Sequence, residues 1–574
     1  MERLAMTRNG SIWMLTAAFV MSGLATPARA QQVSEARIRE LITQAADRAA
    51  TGNLATDSQP PTTSAAGQRP IVRLTLDDAV KFALDRNLDI AVQRLNPEIN
   101  DLAVARIRAV YHPSLTSTIA TQSTSTPATS TLTGGLAAGS SVIAGLSTYN
   151  GGVSQFVPWG GGSFNVALNN NRATTTSLNS LFNPAYNTFW SGNYTQPLLR
   201  GFRIDSTRQQ VQVTRINRDI SDVQLKATIT NTLSNVRNAY WDYVFAIQSV
   251  EVARQSVALA EQLVKDNSTR VEVGTMAPID VVAAQSQSAT QKQNLVIAQA
   301  TMRTTELALK RFIVSGTTDP NWNVNLDPTD RPDFRPEPID VEAAVRRALN
   351  ERTDLAIAKK NVAANDVTLK YLQDQLKPQA DFVGAYGLTG LGGTQLQKDG
   401  TSVNANVIGT IPGGYSNAIS SQFNNPRWTA QVNISYPLGV SSQQASVARA
   451  RVQLNQVAAQ TKQIELQVAT DVTNAAINVT SGVERVQAAQ AARELAQKTL
   501  EAEQSKFEVG MSTSYNVILT QRDLATAQSN ELQSILNYRK ALVELERVQQ
   551  TTLTNLNITI LSATGGATVT TGGQ

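Results

Sequence analysis

The sequence predicts a mixed α and β membrane protein, internally duplicated, in which proline-marked strands alternate with very long helices. Three observations predict it. The two halves of the chain align with each other, two stretches run far longer as helix than a globular domain needs, and alternating apolar segments flank those helices.

The duplication comes first. Residues 75–113 and 340–378 align without a gap at an offset of 265, with TLDDAVKFALDRNLDIAV over DVEAAVRRALNERTDLAI. Further on, YTQPLL (194–199) matches ISYPLG (434–439) at an offset of 240, and VEVGTM (271–276) matches FEVGMS (507–512) at 236. Each half therefore reads helix, strand, loop, strand, long helix, tight turn, helix. The expected segments are a signal peptide 1–30, an N-terminal extension and linker 31–74, a first repeat 75–313, an equatorial connector 314–338, a second repeat 339–550 and a flexible tail 551–574. The Pro/Asp-rich connector cannot be continuous helix.

The helices come next. From Asp205 to about Thr269 there is neither Pro nor Gly, and apolar or small residues recur at spacings of three and four, as at Ile216, Ile220 and Val223. Such a run is about 100 Å long at 1.5 Å per residue. Its counterpart, Ser442 to Glu508, has only Gly482 as a weak point. Shorter helices are expected over Leu76–Tyr111 and Pro278–Phe312, stacked end to end beside the long one. The remaining faces are rich in Gln, Asn, Thr and Ser, which suits a tunnel wall, although a filamentous coiled coil or a solid bundle explains the seams equally well.

The strands decide more. WTAQVNISY (428–436) puts Trp428, Ala430, Val432, Ile434 and Tyr436 on one face and polar residues on the other, the pattern of an outer-membrane strand. Weaker alternation marks Phe382 to Leu388, Trp190 to Tyr194, and Leu115 to Gln122. Pro113 and Pro378 follow helices, while Pro197 and Pro437 end strands before helices begin, so the four prolines mark a repeated strand/helix junction. Residues 123–187 and 389–426, rich in Gly, Ser, Thr and Asn, read as flexible extracellular loops, with Phe164, Val166 and Leu168 extending the sheet as a hairpin. Four principal strands cannot close a barrel, so the chain must oligomerise.

Composition sets the compartment and excludes chemistry. Arg3 and Arg8, an uncharged stretch Ser11–Leu24 and the tripeptide Ala28, Arg29, Ala30 form a secretory signal. No cysteine occurs, so disulfides, thiolate chemistry and lipidation of the new amino terminus are excluded. Lys+Arg 50 against Asp+Glu 45 is near balance and does not point to nucleic acid. His112, beside Pro113, is the single histidine, so no His-based metal cluster or triad can form within one chain. With no nucleophile elbow and no phosphate-cradling loop, neither an enzyme nor a cofactor is expected.

With these residues in view, the sequence resembles the TolC-like outer-membrane efflux protein family. The resemblance rests on YTQPLLRG (194–201), AYWDYV (239–244) and the two turns at Gly274 and Gly510. It implies a homotrimer in which each chain gives four strands to a twelve-stranded outer-membrane β-barrel, continued by a periplasmic α-helical barrel. It also implies a tip that docks a periplasmic adaptor linked to an inner-membrane RND or ABC transporter. The mapping puts the docking tips at Val273, Gly274, Thr275, Val509, Gly510 and Met511. Where family members often carry acidic residues near the second turn, Asn516 and Leu519 stand here. Asp280 and Asn516 are thus the gate candidates, with Arg270 or Arg522 as partners for Asp280; the alternative for Asp280 is a carboxylate facing the helix dipole. A periplasmic helical-hairpin scaffold or adaptor and a stand-alone diffusion porin are the rival readings.

Overall fold

The computed structural model describes residues 70–560, apart from 136–138, 332–333, 337, 401, 403–404 and 440, together with 569–571. The signal peptide 1–30 and residues 31–69 of the extension lie outside the described residues. The first half contains β1 (Ile71–Leu74), helices α1 (Leu76–Arg86) and α2 (Leu88–Arg108), strands β2 (Ser114–Pro127), β3 (Ser141–Phe156), β4 (Ser163–Thr175) and β5 (Phe182–Pro197), then α3 (Ser206–Glu272) and α4 (Pro278–Ile313). In the connector lies β6 (Asn325–Pro328). The second half contains α5 (Val341–Glu351), α6 (Thr353–Asp374), β7 (Gln379–Lys398), β8 (Val407–Ile411), α7 (Tyr415–Ser421), β9 (Pro426–Ser435), α8 (Ser442–Glu508) and α9 (Ser514–Gln549).

The two long helices have 67 residues each and the two returning helices 36 each. All four starts and ends coincide at the 236 offset, and equivalent residues cap the starts of the two long helices. Asp205 accepts from the Arg208 amide at 2.7 Å to open α3, and Ser441 forms a capping box with Gln444 to open α8. Gly482 is the site of a close approach. A Cβ there would lie 3.4 Å from the Tyr538 ring and 3.6 Å from its Cα, so the small residue lets α9 pack against α8.

The helix expected over Leu76–Tyr111 is two helices. Asn87 breaks it by accepting from the amides of Asp89 (2.9 Å) and Ile90 (3.2 Å), which makes it the N-cap of α2. Its amide group donates to the Phe312 carbonyl at 3.1 Å, tying the break to the end of α4. The second half breaks at the equivalent Arg352, so α1–α2 and α5–α6 are matching pairs. As expected, α2 and α4 both lie along α3.

The connector closes on the segment before the first repeat, for β6 pairs in parallel with β1. Around this pair lies the largest apolar core, where Tyr240 and Tyr243 of α3 donate to the carbonyls of Leu74 (3.1 Å) and Leu326 (2.6 Å). Leu553 and Ile558 join that core, so the start of the tail expected to be flexible is folded down. Burial of such side chains stabilises by roughly 1.5–3 kcal/mol each.

A single antiparallel sheet runs β2, β3, β4, β5, β7, with β9 and then β8 pairing one beyond the other along the far edge of β7. The four expected strands are β2, β5, β7 and β9. Residues 123–187, read as a flexible loop, instead supply all of β3 and β4 and the start of β5, and 389–426 supply the end of β7, β8 and α7. The misreading has a physical cause. Gly, Ser, Thr and Asn serve a strand wetted on one face as readily as they serve a loop.

Candidate functional site

The two helix turns are built alike. Val273 closes α3, Gly274 takes φ +75°, and the amides of Gly274 and Thr275 donate to the carbonyls of Val271 (3.0 Å) and Arg270 (2.9 Å). Val509 closes α8, Gly510 takes φ +78°, and the amides of Gly510 and Met511 donate to Phe507 (3.2 Å) and Lys506 (2.8 Å). Both are Schellman turns, in which a left-handed residue lets two amides satisfy the last carbonyls of a helix. A Cβ on either glycine would meet nothing within 4 Å, so backbone conformation and not crowding requires glycine here.

The fold brings the two turns together. Leu263, Ala284, Leu500, Phe507, Val517 and Leu524 form one core from all four helices. Arg270 of α3 donates from Nη1 to the Phe507 carbonyl at 3.0 Å and lies over the Phe507 ring, 4.2 Å from its centroid. Asn267, fully buried, donates to Ser514 Oγ at 2.7 Å and to the Asp280 carbonyl at 3.3 Å. Asn267, Phe507 and Ser514 escaped the sequence reading, because a helix seam does not say which residues cross between hairpins. The one available signal is the repeat: Asn267 corresponds to Glu503, and each reaches from its long helix toward the turn that follows.

Outside this core the end of the hairpins is apolar and exposed. Val273 and Val509 are each 71% exposed and Met511 79%, with Ile279 and Tyr515 beside them at 70%. Thr275 is also exposed. The gate candidates fare differently. Asp280, half-buried at the start of α4, forms no ion pair with Arg270 or Arg522 among the described residues, since Arg270 is engaged by Phe507. Asn516 donates to Ser512 Oγ at 3.4 Å, and Ser512 donates to Glu503. The Ser512 hydroxyl, then Lys506, hold the Glu503 carboxyl below the usual carboxylate range.

The junction prolines sit where strands and helices meet. Pro113 precedes β2, Pro378 precedes β7, Pro197 ends β5, and Pro437 follows β9 by two residues. Nearby, Asp374 accepts from the Gly201 amide at 2.7 Å, fastening the chain between β5 and α3 to the end of α6. No cluster of potential metal ligands occurs among the described residues, and no described helix is long and apolar enough to cross a membrane.

A sheet with apolar rows on one face, long helices leaving its edge and paired helical turns at their far end define a mixed α and β channel protein. The comparisons with known proteins agree. The model of the outer membrane efflux protein family matches residues 159–313 and 344–549, so the chain belongs to that family. It is an outer-membrane channel of the kind that serves tripartite efflux systems, extending into the periplasm, and its family is one of channels and not of enzymes. Among solved structures, the outer-membrane channel OprN is 14% identical with a TM-score of 0.58, over 83% of this chain and 89% of that one. The CmeC outer membrane channel of Campylobacter jejuni is 11% identical with a TM-score of 0.56, over 83% and 85%. VceC of Vibrio cholerae is 13% identical with a TM-score of 0.57, over 83% and 95%. These likenesses show a shared fold. No curated protein matches the chain significantly.

Proposed function

We propose that three copies of this chain close one passive exit duct whose helical end docks, tip to tip, on a periplasmic adaptor linked to an inner-membrane RND or ABC transporter. The observation that carries this reading is the convergence of two Schellman turns, locked by Arg270 and Phe507, beneath exposed Val273, Val509 and Met511. A rigid apolar end of this kind suits a helical partner, because its backbone needs no ordering on binding. The duct supplies a water-filled path and no chemical step, and the pump supplies the energy. Asp280 and Asn516, equivalent positions behind the tip, are the gate residues of this reading.

Extraction from outer membranes as a heat-resistant trimer, with a photo-crosslinker at Met511 capturing a periplasmic adaptor, is the expected result. A soluble monomer would overturn the duct. Large conductance in planar bilayers without any adaptor would instead identify a diffusion porin.

A further inference from the structure

The duplication makes a demand on the sheet that the first half does not meet. By the repeat offsets β2 corresponds to β7 and β5 to β9. In the second half those partners pair directly, Phe382 opposite Val432 and Tyr386 opposite Trp428. In the first half they do not touch, because β3 and β4 stand between β2 and β5 in unbroken antiparallel register on both sides. An insert of two strands preserves the up-and-down order, so β2 and β5 remain antiparallel to their new neighbours.

The inserted hairpin continues the two faces of the sheet. One row across all six long strands reads Leu115, Val153, Val166, Gly192, Tyr386, Trp428; the next row, on the opposite face, reads Ser114, Ser154, Asn165, Asn193, Ala385, Thr429. The first is apolar and the second polar, in the alternation of a wall between lipid and water. Within β4 Phe164, Val166 and Leu168 share the apolar face, which turns polar at Asn170 and Arg172 toward the far end of the strand, while Asn165, Ala167 and Asn169 share the other. A hairpin folded over the outside of a barrel would have no reason to keep that phase.

We propose that β3 and β4 are membrane-spanning strands, so that each protomer contributes a wall six strands wide instead of four. With the trimer proposed above, on which this inference rests, the barrel holds eighteen strands. β2 and β9 are the free edges of each wall, every residue of both is exposed, and their opposite directions let β9 of one protomer take β2 of the next. Strands about 4.8 Å apart, tilted by about 40°, give a backbone diameter of about 36 Å for eighteen strands and about 24 Å for twelve. The outer mouth of this duct is therefore wide, and selection falls to its helical end.

The chain lacks cysteine, so one introduced cysteine gives one label per protomer. Full-length Thr429→Cys and, separately, Trp428→Cys, spin-labelled in nanodiscs, place labels inside and outside the wall, so that their projections cancel in the mean. That mean inter-label distance is expected at about 31 Å, against about 21 Å for a twelve-stranded wall, the side of the triangle inscribed in each backbone circle. A mean of about 21 Å overturns the proposal. As a second measurement, a label at Leu168→Cys should be reached by oxygen dissolved in lipid and one at Asn169→Cys by a water-soluble nickel chelate. Both labels open to the chelate would place the hairpin outside the membrane and overturn it. Val432→Cys on β9 separates the two levels of the argument. A lipid-facing label there with water-facing hairpin labels sinks the hairpin alone, whereas a water-facing label at Val432 sinks the channel reading and the proposal with it.

Discussion

Replacing Gly274 and Gly510 together by valine should stop adaptor-dependent export while leaving trimers intact. Both glycines sit at positive φ, +75° and +78°, and neither Cβ would meet an atom within 4 Å. The cost is therefore conformational alone, about 1–2 kcal/mol per site for an L-residue held in the left-handed region. A turn that abandons that region forfeits its two Schellman hydrogen bonds, worth about 1 kcal/mol each. Either way the tip changes shape in a fraction of molecules that rises about 5–30-fold per turn, and three protomers must dock together. None of this touches the sheet or the core around β1 and β6. Asparagine tolerates the left-handed region, so the double asparagine variant should export almost normally. Export by cells carrying each variant as their sole channel, beside heat-modified gel migration of the trimer, tests this. Wild-type export by the valine pair, or equal loss in the asparagine pair, would refute the reasoning.

Arg270→Ala removes the bond to the Phe507 carbonyl and the contact with its ring, about 2 kcal/mol in total. Amide exchange at residues 505–511 should then quicken by roughly 30-fold, and unchanged protection would show that the hairpins do not lock through Arg270. Lys310, 2% exposed in its side chain, is paired with Glu306 at 2.8 Å, so Glu306→Ala leaves a buried charge and should destabilise by roughly 3–5 kcal/mol; thermal melting would register it. Burial raises the Asp319 pKa, but amides of Asn321 and Ser315, the Ser315 hydroxyl and Arg86 outweigh it, and the value is held below the usual range. Because the folded pKa is depressed, the stability it contributes is present above about pH 4 and is lost as pH falls through the folded value. Asp319→Asn should be less stable at pH 7 and show a flatter acid limb, and an unaltered profile from pH 5 to pH 2 would contradict this.

Much of the architecture was legible because its determinants are local or repeated. The absence of Pro and Gly from Ser206 to Glu272, the capping residues Asp205 and Ser441, and the glycines at 274 and 510 set helix lengths without reference to anything distant. Phe164, Val166 and Leu168 mark β4, yet the stretch around them reads as loop, since one apolar residue in two among Asn, Ser and Gly is a faint signal. The break at Asn87 was missed for a different reason. Its side chain caps a new helix only because the Phe312 carbonyl, remote in sequence, holds the amide in place.

The sequence by itself determined the duplication, the spans of the long helices and the left-handed turns that reverse them, for each follows from side chains acting on their own backbone. Only the tertiary structure decided that Arg270 serves Phe507 and not Asp280, that the connector pairs with β1, and that a hairpin parts β2 from β5. Strand neighbours and cross-hairpin contacts join residues whose separation along the chain leaves no periodic trace. They are settled by which faces must be buried together, and that is a property of the assembled fold.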